Sequence, residues 1–455
     1  MPEKNSFIMN MRKRKLRLSP TQTIALAFAG IVLLGTLLLA LPIASRDGIS
    51  CGIFPALFTA TSATCVTGLV LFDTGTQWSG FGQTVIISLI EIGGLGFMTA
   101  ASLVIFLLRR RVGLKQRMVM AQALSVNDMT GIVRLQKIVL LGSLLVQLTG
   151  ALILTARFWP QHGPMQAIRW GFFHAVSAFC NAGFDIFGTG DSLVGFQSDP
   201  VVLLTLGTLV LVGGLGFFVW EEVIRLHNWK KFSVYTKVVL LMTGCLLLSG
   251  AVGICILEWN NPQTLGQLPW QDKILGGFFQ SFTTRTAGFD AINQGGLTDG
   301  GKVLSMVLMM VGGSSGSTAG GIKTVTMVVL LLFLWSRIRG KGSVCVFKRT
   351  VPDHQVLDAM TVVSIMVCLA LFGGLFISVT SPVSFTDGLY ESVSALATVG
   401  LTTGITTSLS IPAQILMIIY MYFGRVGVLT LSLGFMMENR AVERFRYAHT
   451  NFLIG

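Results

Sequence analysis

The feature that most constrains this chain is a series of eight apolar stretches that are each long enough to cross a bilayer. A helix needs about 20 apolar residues to span roughly 30 Å of hydrocarbon. The stretches lie near 23–43, 83–107, 137–156, 201–219, 236–257, 303–335, 356–379 and 411–436. Charged residues make up only 12% of the chain, whereas a soluble domain carries about 25%. The sequence therefore predicts an all-α polytopic membrane protein that forms one membrane domain over residues 1–455.

The basic residues are concentrated at one side of these predicted spans. Of the 33 Lys and Arg residues, 25 lie in five segments that share a side, namely 1–20, 108–137, 221–237, 336–355 and 437–455. Positive charge in short loops marks the cytoplasmic face of a membrane protein. Both termini are therefore predicted to be cytoplasmic. The net charge of +13 is explained by topology and by contact with lipid headgroups, and no nucleic acid is expected to bind.

A glycine followed by Leu or Phe recurs four times between paired spans. These glycines are 115, 105 and 112 residues apart, at Gly68, Gly183, Gly288 and Gly400. Six residues before them the chain has Ser62, Ser177, Phe282 and Ser394. A second glycine cluster follows each of them, at 93–97, 213–217, 312–316 and 424–428. Paired landmarks at matched separations predict four repeats, approximately 20–108, 134–222, 234–336 and 354–438.

The segments that precede the four glycines are too short to cross a membrane. They cover roughly 53–64, 168–179, 275–284 and 386–396. Non-helical backbone at membrane depth survives only where it is buried in protein or lines water. Ordinary external loops would not recur four times with the same landmarks. We therefore expect four span–pore-helix–span units around a pseudo-fourfold axis, with one central pore.

The four glycine turns have the chemistry of a potassium filter. Such a filter needs backbone carbonyls that replace the hydration shell of the ion, and glycine permits the required backbone conformations. The segment 398–400 reads Thr-Val-Gly, as in tetrameric potassium filters. The predicted K⁺ ligands, called the filter segments below, are Val66, Thr67, Gly68, Asn181, Ala182, Gly183, Thr286, Ala287, Gly288, Thr398, Val399 and Gly400. No other metal site and no covalently bound cofactor are expected.

Acidic residues follow two of the filter segments directly. Asp185 and Asp290 each come two residues after a filter glycine, on the side with few basic residues. Carboxylates at a pore mouth concentrate cations by their field. We therefore predict that Asp185 and Asp290 lie at the outer mouth.

The third repeat contains a stretch that should not remain helical. Glycine is a poor helix former, and Ser and Thr compete for backbone hydrogen bonds. Unwound backbone in a membrane must be buried or line the pore, so we predict a gate here rather than a closely packed glycine-rich helix. The predicted gate residues are Gly312, Gly313, Ser314, Ser315, Gly316, Ser317, Thr318, Gly320, Gly321, Lys323 and Arg425.

Intramembrane guanidinium groups need carbonyl or carboxylate partners. Arg425 occupies the place where the first two repeats have a glycine, and it is expected either to lie near the gate or to pair with Glu91. Arg285 ends the third pore segment and Glu391 begins the fourth, so these two are predicted to pair behind the filter.

On these residues the chain resembles the Trk/Ktr/HKT potassium-transporter superfamily over nearly its whole length. Its eight spans look most like the KtrB-type bacterial membrane subunit. The resemblance implies potassium uptake across the bacterial plasma membrane, K⁺ selectivity associated with glycine at Gly68, and an obstructing intramembrane loop with a basic residue, matched by Arg425, near it. It also implies a homodimer that sits on a cytosolic nucleotide-binding regulatory ring of the RCK type. Whether Na⁺ is also carried, coupled or stimulatory stays open.

Three other classes of protein fit the sequence less well. A membrane enzyme would need convergent catalytic or metal-ligating groups, but the spans contain only Glu91, Lys323 and Arg425, and the cysteines and histidines lack metal spacing. An ion-coupled symporter of a small solute, the main alternative, would show broken helices at two related positions. A receptor or scaffold would not require the four glycine turns.

Overall fold

The computed structural model describes residues 20–96 and 132–427. Most of three basic segments (1–20, 108–137 and 437–455) and the predicted repeat boundaries near 108 and 438 lie outside the described residues. Within the described ranges all regular secondary structure is helical, apart from one two-stranded hairpin. The predicted all-α class is therefore confirmed.

Each of four consecutive units contains a long helix, a shorter re-entrant helix and a second helix that is interrupted or ends in an irregular turn. The first unit has α1 (Pro20–Leu39), α2 (Ile53–Thr64), the single turn α3 (Thr74–Gln77) and α4 (Gly80–Leu95). The second has α5 (Ile132–His162), α6 (Pro164–Phe179), α7 (Pro200–Gly214) and α8 (Phe217–Leu226). The third has α9 (Val234–Glu258), α10 (Trp270–Thr283), α11 (Asp299–Met310) and α12 (Thr324–Ile338). The antiparallel hairpin β1 (Cys345–Val346) and β2 (Arg349–Thr350) leads to α13 (Asp353–Thr380), α14 (Phe385–Leu396), α15 (Ile411–Tyr422) and the π-helical turn Phe423–Gly427.

The long first helices have the length and surface of membrane spans. Four helices of the described chain are long and apolar enough to cross a membrane, or five if α7 and α8, which are bent by 96°, form one span. Their outward side chains are large and apolar; Leu37 is 68% exposed, Leu145 68% and Ile256 74%. Such extensive exposed apolar surface is compatible with lipid and not with water. The protein is a multi-pass membrane protein.

The predicted spans are too long for the second helix of the first, second and fourth units, which ends before the apolar stretch does. Helix α4 ends at Leu95, before Gly96 with a φ of 84°, and α7 ends at Gly214, before Gly216 with a φ of 89°. Helix α11 gives way to a loop, and α15 passes into a π-helical turn. We predicted unwinding in the third unit alone. The regular helix ends at or next to the second glycine cluster in all four units, because glycine is a poor helix former.

The units pack in a closed cycle. We call the shorter helices α2, α6, α10 and α14 the pore helices. In each unit the long helix packs on the pore helix of the same unit, as α1 does on α2. The second helix packs on the pore helix of the next unit: α4 on α6, α7 on α10, and α11 on α14. Helix α15 of the fourth unit packs back on α2 of the first. This cyclic packing brings the carboxyl ends of all four pore helices to a common centre.

Candidate ion pathway

The four filter segments share one unusual backbone conformation. Each filter glycine has a positive φ, between 67° at Gly183 and 98° at Gly68. The residue two positions earlier also has a positive φ: 57° at Val66, 60° at Asn181, 67° at Thr286 and 51° at Thr398. A left-handed residue with a Cβ costs roughly 1–2 kcal/mol. Alternating handedness turns successive peptide groups to the same side, which is what a carbonyl-lined ion site requires.

The filter glycines touch one another's units in a ring. A Cβ added at Gly68 would lie 2.6 Å from the Ala182 carbonyl oxygen, and one at Gly183 would lie 2.7 Å from that of Ala287. The same approach joins Gly288 to the carbonyl of Val399 and Gly400 to the carbonyl of Thr67. Each unit therefore contacts the next, and the fourth contacts the first. The ring has no room for a side chain at any of the four glycines.

Hydroxyl groups at the ends of the pore helices hold the ring in place. The Oγ atoms of Ser62 and Ser394 accept hydrogen bonds of 3.1 Å from the amides of Gly68 and Gly400. In the second unit, Ser177 Oγ donates to the Phe184 carbonyl at 2.7 Å. In the third unit, where Phe282 interrupts the serine pattern, Thr283 Oγ1 donates to the Phe289 carbonyl at 2.7 Å. Sequence reasoning missed Thr283 because it lies one residue away from the serine position.

The electrostatics of the ring favour cations. The pore helices α2, α6, α10 and α14 end at the ring, and a helix carboxyl end carries a partial negative charge. The hydroxyl oxygens of Thr67, Thr286 and Thr398 are buried and have no hydrogen-bond partner within the described ranges. No group of three or more His, Cys, Asp or Glu residues that could hold a metal occurs in the described chain. The available ligands are therefore carbonyl and hydroxyl oxygens, which suit a dehydrated alkali cation.

The two predicted mouth carboxylates lie on loops that follow the ring. Asp185 Oδ1 accepts from the Phe187 amide at 3.3 Å. The main chain of Asp290 is bonded to the loop of the second unit, since its carbonyl accepts from the Leu193 amide at 2.9 Å. The Oδ1 atom of Asp290 is buried without a hydrogen-bond partner among the described residues. Both carboxylates thus lie beyond the same end of the ring.

Nine of the predicted gate residues lie in a loop between α11 and α12, which we call the gate loop (312–321), whereas Lys323 and Arg425 lie outside it. Its two ends are joined by hydrogen bonds from the Gly312 amide to the Ile322 carbonyl (3.0 Å) and from the Ile322 amide to the Met310 carbonyl (3.1 Å). The loop is therefore closed at its base and projects as one unit, unlike a closely packed helix.

The gate loop is bonded to the break between α7 and α8. The amides of Ser314 and Thr318 donate to the carbonyls of Gly214 (3.1 Å) and Gly213 (3.2 Å). The Phe217 amide donates to the Gly316 carbonyl at 2.9 Å. Carbonyls at a helix end lack intrahelical partners, and here the loop supplies some of these partners.

The tip of the gate loop reaches the ring. Thr318 Oγ1 lies 3.1 Å from the Phe179 carbonyl at the end of α6. Gly320 lies against Thr398, and a Cβ there would be 3.0 Å from the Ala397 carbonyl. The loop thus contacts the second and fourth filter segments at their first residues, Asn181 and Thr398. Asp185 and Asp290 follow the opposite end.

The three intramembrane basic residues all donate hydrogen bonds to backbone carbonyl groups. Arg285 Nη2 donates to the Gly312 carbonyl at 3.4 Å, and Lys323 Nζ donates to that of Ala319 at 2.8 Å. Arg425 donates through Nη1 to the Thr318 carbonyl and through Nη2 to those of Gly93 (2.6 Å) and Gly94 (3.0 Å). All three basic residues therefore hold the gate loop.

Within the described residues the predicted Arg285–Glu391 pair is wrong, and Arg425 lies at the gate loop instead of pairing with its alternative partner Glu91. Glu391 accepts hydrogen bonds from Thr402 and Thr406 and not from Arg285. Glu91 accepts from Gln147 Nε2 at 2.9 Å and Cys180 Sγ at 3.2 Å and not from Arg425. The reason is geometric: backbone carbonyls of the gate loop and of the end of α4 lie close to the guanidinium groups, and the sequence does not reveal which carbonyls these are.

Comparisons with known proteins agree with this architecture. The family model for TrkH, described as a cation transport protein, matches residues 9–444. The chain is 39% identical over 453 residues to the potassium/sodium uptake protein NtpJ of Enterococcus hirae, covering 98% of this chain and 100% of the relative. It is 39% identical over 444 residues to the Ktr system potassium uptake protein B of Bacillus subtilis, covering 96% and 98%. The fold matches the crystal structure of the potassium transporter TrkH from Vibrio parahaemolyticus with a TM-score of 0.70 at 17% identity, over 94% and 87% of the two chains.

Proposed function

The chain belongs to the TrkH family of cation transport proteins, and from this membership we propose that it takes up potassium across the bacterial plasma membrane. It is a transporter and not an enzyme. Two relatives at 39% identity carry potassium uptake in their names, and one of these names includes sodium as well. We propose K⁺ as the principal ion, because Gly68 completes a ring of four glycines.

The main support for potassium transport is the closed ring of glycine–carbonyl contacts. Carbonyls of adjacent units approach each filter glycine, so the oxygen atoms of four units surround one axis. Selectivity for K⁺ over Na⁺ depends on the number and arrangement of such oxygens. A symporter with two related broken helices is disfavoured, because helix breaks or irregular turns occur in four units.

We propose that the gate loop closes the pathway on the cytoplasmic side of the filter. The loop covers the ring, and a cation passing it would meet Lys323 and Arg425 in a region of low dielectric, where like charges repel strongly. Glycines at 312, 313, 316, 320 and 321 allow the loop to change conformation at little backbone cost. The loop's own hydrogen bonds to the α7–α8 break would hold it closed.

We propose that a cytosolic partner moves this gate. The support is a continuous set of contacts from the predicted cytoplasmic face to the loop. Tyr235, in the first turn of α9, donates its hydroxyl to the Ser315 carbonyl at 3.0 Å. Glu222 of α8 accepts from the Ser233 amide at 2.6 Å and from Thr236 Oγ1, which ties α8 to α9. A homodimer on a nucleotide-binding ring of the RCK type fits the basic residues on this face.

The test is cation uptake by a bacterial strain that lacks its own potassium transporters. Cells that express this chain with a candidate ring protein should grow at low K⁺ and take up K⁺ in preference to Na⁺. The purified protein should elute as a dimer, and its flux in proteoliposomes should change with the nucleotide bound to the ring. Equal uptake of both ions would contradict K⁺ selectivity. A purified monomer whose K⁺ flux is unaffected by any cytosolic ring protein would contradict the partner proposal.

A further inference from the structure

One filter position differs chemically from its three equivalents. Two residues before the filter glycine, the four units have Val66, Asn181, Thr286 and Thr398, all with a positive φ. Among residues with a Cβ, asparagine tolerates this conformation well. Backbone preference alone does not account for Asn181, however, because both ends of its amide are bonded.

The amide of Asn181 joins the gate loop to a neighbouring filter segment. Its Oδ1 accepts from Thr318 Oγ1 at 2.9 Å, and its Nδ2 donates to the Arg285 carbonyl at 3.3 Å. Asn181 is 1% exposed and Thr318 is fully buried. By contrast, the hydroxyls of Thr286 and Thr398 have no hydrogen-bond partner in the described chain. The second unit alone therefore offers a side-chain hydrogen bond from this filter position to the gate loop within the described ranges.

The second glycine cluster provides the space for this contact. A Cβ at Gly213 would lie 2.8 Å from Thr318 Oγ1 and 2.9 Å from Asn181 Oδ1, and would also collide with the Phe179 carbonyl. The Gly213 carbonyl accepts from the Thr318 amide at 3.2 Å. Thr318 is thus held through both its main chain and its side chain directly beneath Asn181.

We infer that Asn181 is a positioning residue that couples the conformation of the filter to the position of the gate loop. This inference depends on the proposed filter and gate. When the loop withdraws, Thr318 leaves and Asn181 Oδ1 loses its donor, so the amide keeps only its bond to the third unit. The second and third filter segments then become less constrained. Ion preference should therefore change with gate state, and by linkage K⁺ in the filter should change the stability of the closed loop.

The test is a double-mutant cycle on purified protein in proteoliposomes, with K⁺ and Na⁺ flux measured separately. Thr318→Val removes the hydroxyl at nearly constant volume. It should raise flux in the absence of the partner and lower the K⁺/Na⁺ flux ratio, each by about three- to tenfold, which is the value of one hydrogen bond. Thr318→Ser should restore both quantities. In an Asn181→Ala background, Thr318→Val should have no further effect on the K⁺/Na⁺ flux ratio, because the contact with Asn181 is already absent. Any remaining rise in flux comes from the contact of Thr318 Oγ1 with the Phe179 carbonyl at 3.1 Å.

A matched control separates this effect from general loss of buried hydroxyls. The Oγ1 atom of Thr243 in α9 is buried, as that of Thr318 is, but it has no hydrogen-bond partner in the described chain. Thr243→Val should therefore behave as wild type. If Thr318→Val raises flux but leaves the ion ratio unchanged, or if the effects of the two substitutions on the ion ratio are additive, Asn181 does not couple gate and filter. Wild-type protein that shows no K⁺ flux at all would instead overturn the proposed function.

Discussion

At the scale of single residues, the filter glycines are required by their neighbours as much as by their own backbone. A side chain at Gly68 would meet both an unfavourable φ of 98° and the carbonyl of Ala182 in the next unit. Any substitution must therefore move an oxygen that we propose binds the ion. The same reasoning applies to Gly183, Gly288 and Gly400, since each faces the carbonyl of an adjacent unit.

Replacing Gly68 with Ser should lower the apparent affinity for K⁺ about tenfold, given roughly 1–2 kcal/mol for a left-handed residue with a Cβ. It should also weaken discrimination against Na⁺, because the displaced carbonyl no longer matches the larger ion. The measurement is concentration-dependent uptake of both ions. Gly244→Ser is the control, since nothing lies within 4 Å of a Cβ added there. Unchanged affinity and ion ratio in the Gly68 variant would exclude Gly68 from the filter.

Recurrence in the sequence predicted the filter glycines, but their partners were not predictable. The glycines are found by their spacing and by the helices that flank them. The contacts of Asn181 with Arg285 and Thr318 join residues that are 104 and 137 positions apart. No local pattern encodes such a contact. It depends on which units become neighbours and on where their helices are interrupted.

At the scale of secondary-structure elements, the early ends of α4, α7 and α15 are the main difference from the predicted spans. Hydropathy reports only that a segment is apolar, and α7 and α8 remain apolar across their 96° bend. Backbone carbonyls released at the breaks become acceptors for the gate loop and for Arg425. The predicted Arg285–Glu391 pair was wrong because Arg285 instead contacts the Gly312 carbonyl of the gate loop.

Arg425 should stabilise the closed gate through its carbonyl contacts. Arg425→Ala should raise K⁺ flux without the partner by about tenfold or more, since a hydrogen bond from a charged donor contributes about 1.5–3 kcal/mol. Arg425→Lys distinguishes the two possible causes. It keeps the positive charge but lacks the planar donor array that reaches the first unit and the gate loop together, so its flux should also rise.

Shortening the gate loop within 313–319 should raise flux in the same direction, with reduced dependence on the partner. The combination with Arg425→Ala should be less than additive, because both changes act on one two-state element. Wild-type flux in Arg425→Lys would show that charge repulsion, and not carbonyl binding, closes the pathway. A shortened protein that reaches the membrane with unchanged flux would show that the loop is not a gate.

At the scale of the whole molecule, cyclic packing of second helices on the next pore helix closes the four units around one axis. Two exposed residues can be used to test the predicted topology. The exposed residues Lys341, before the hairpin, and Asp191, after the second filter segment, lie on opposite sides in the predicted arrangement.

Thiol labelling tests this topology. In a background without the exposed cysteines Cys245, Cys345 and Cys368, Asp191→Cys should react with an impermeant reagent in intact cells. Lys341→Cys and Lys115→Cys should react only after the cells are permeabilised, because basic loops stay on the cytoplasmic side. Labelling with the two sides exchanged would contradict the orientation, and with it the outer position of Asp185 and Asp290.

Because the ring of glycine–carbonyl contacts is built from one polypeptide, each quarter of it can be altered by itself. A channel made from four identical chains receives every substitution four times. Here a single codon changes one of Gly68, Gly183, Gly288 and Gly400, and the other three stay intact. The four units of the ring can therefore be substituted one at a time. For the same reason, evolution can give the four units different functions. One unit can carry an obstructing loop, and another the amide that senses it, without four copies of either crowding the axis.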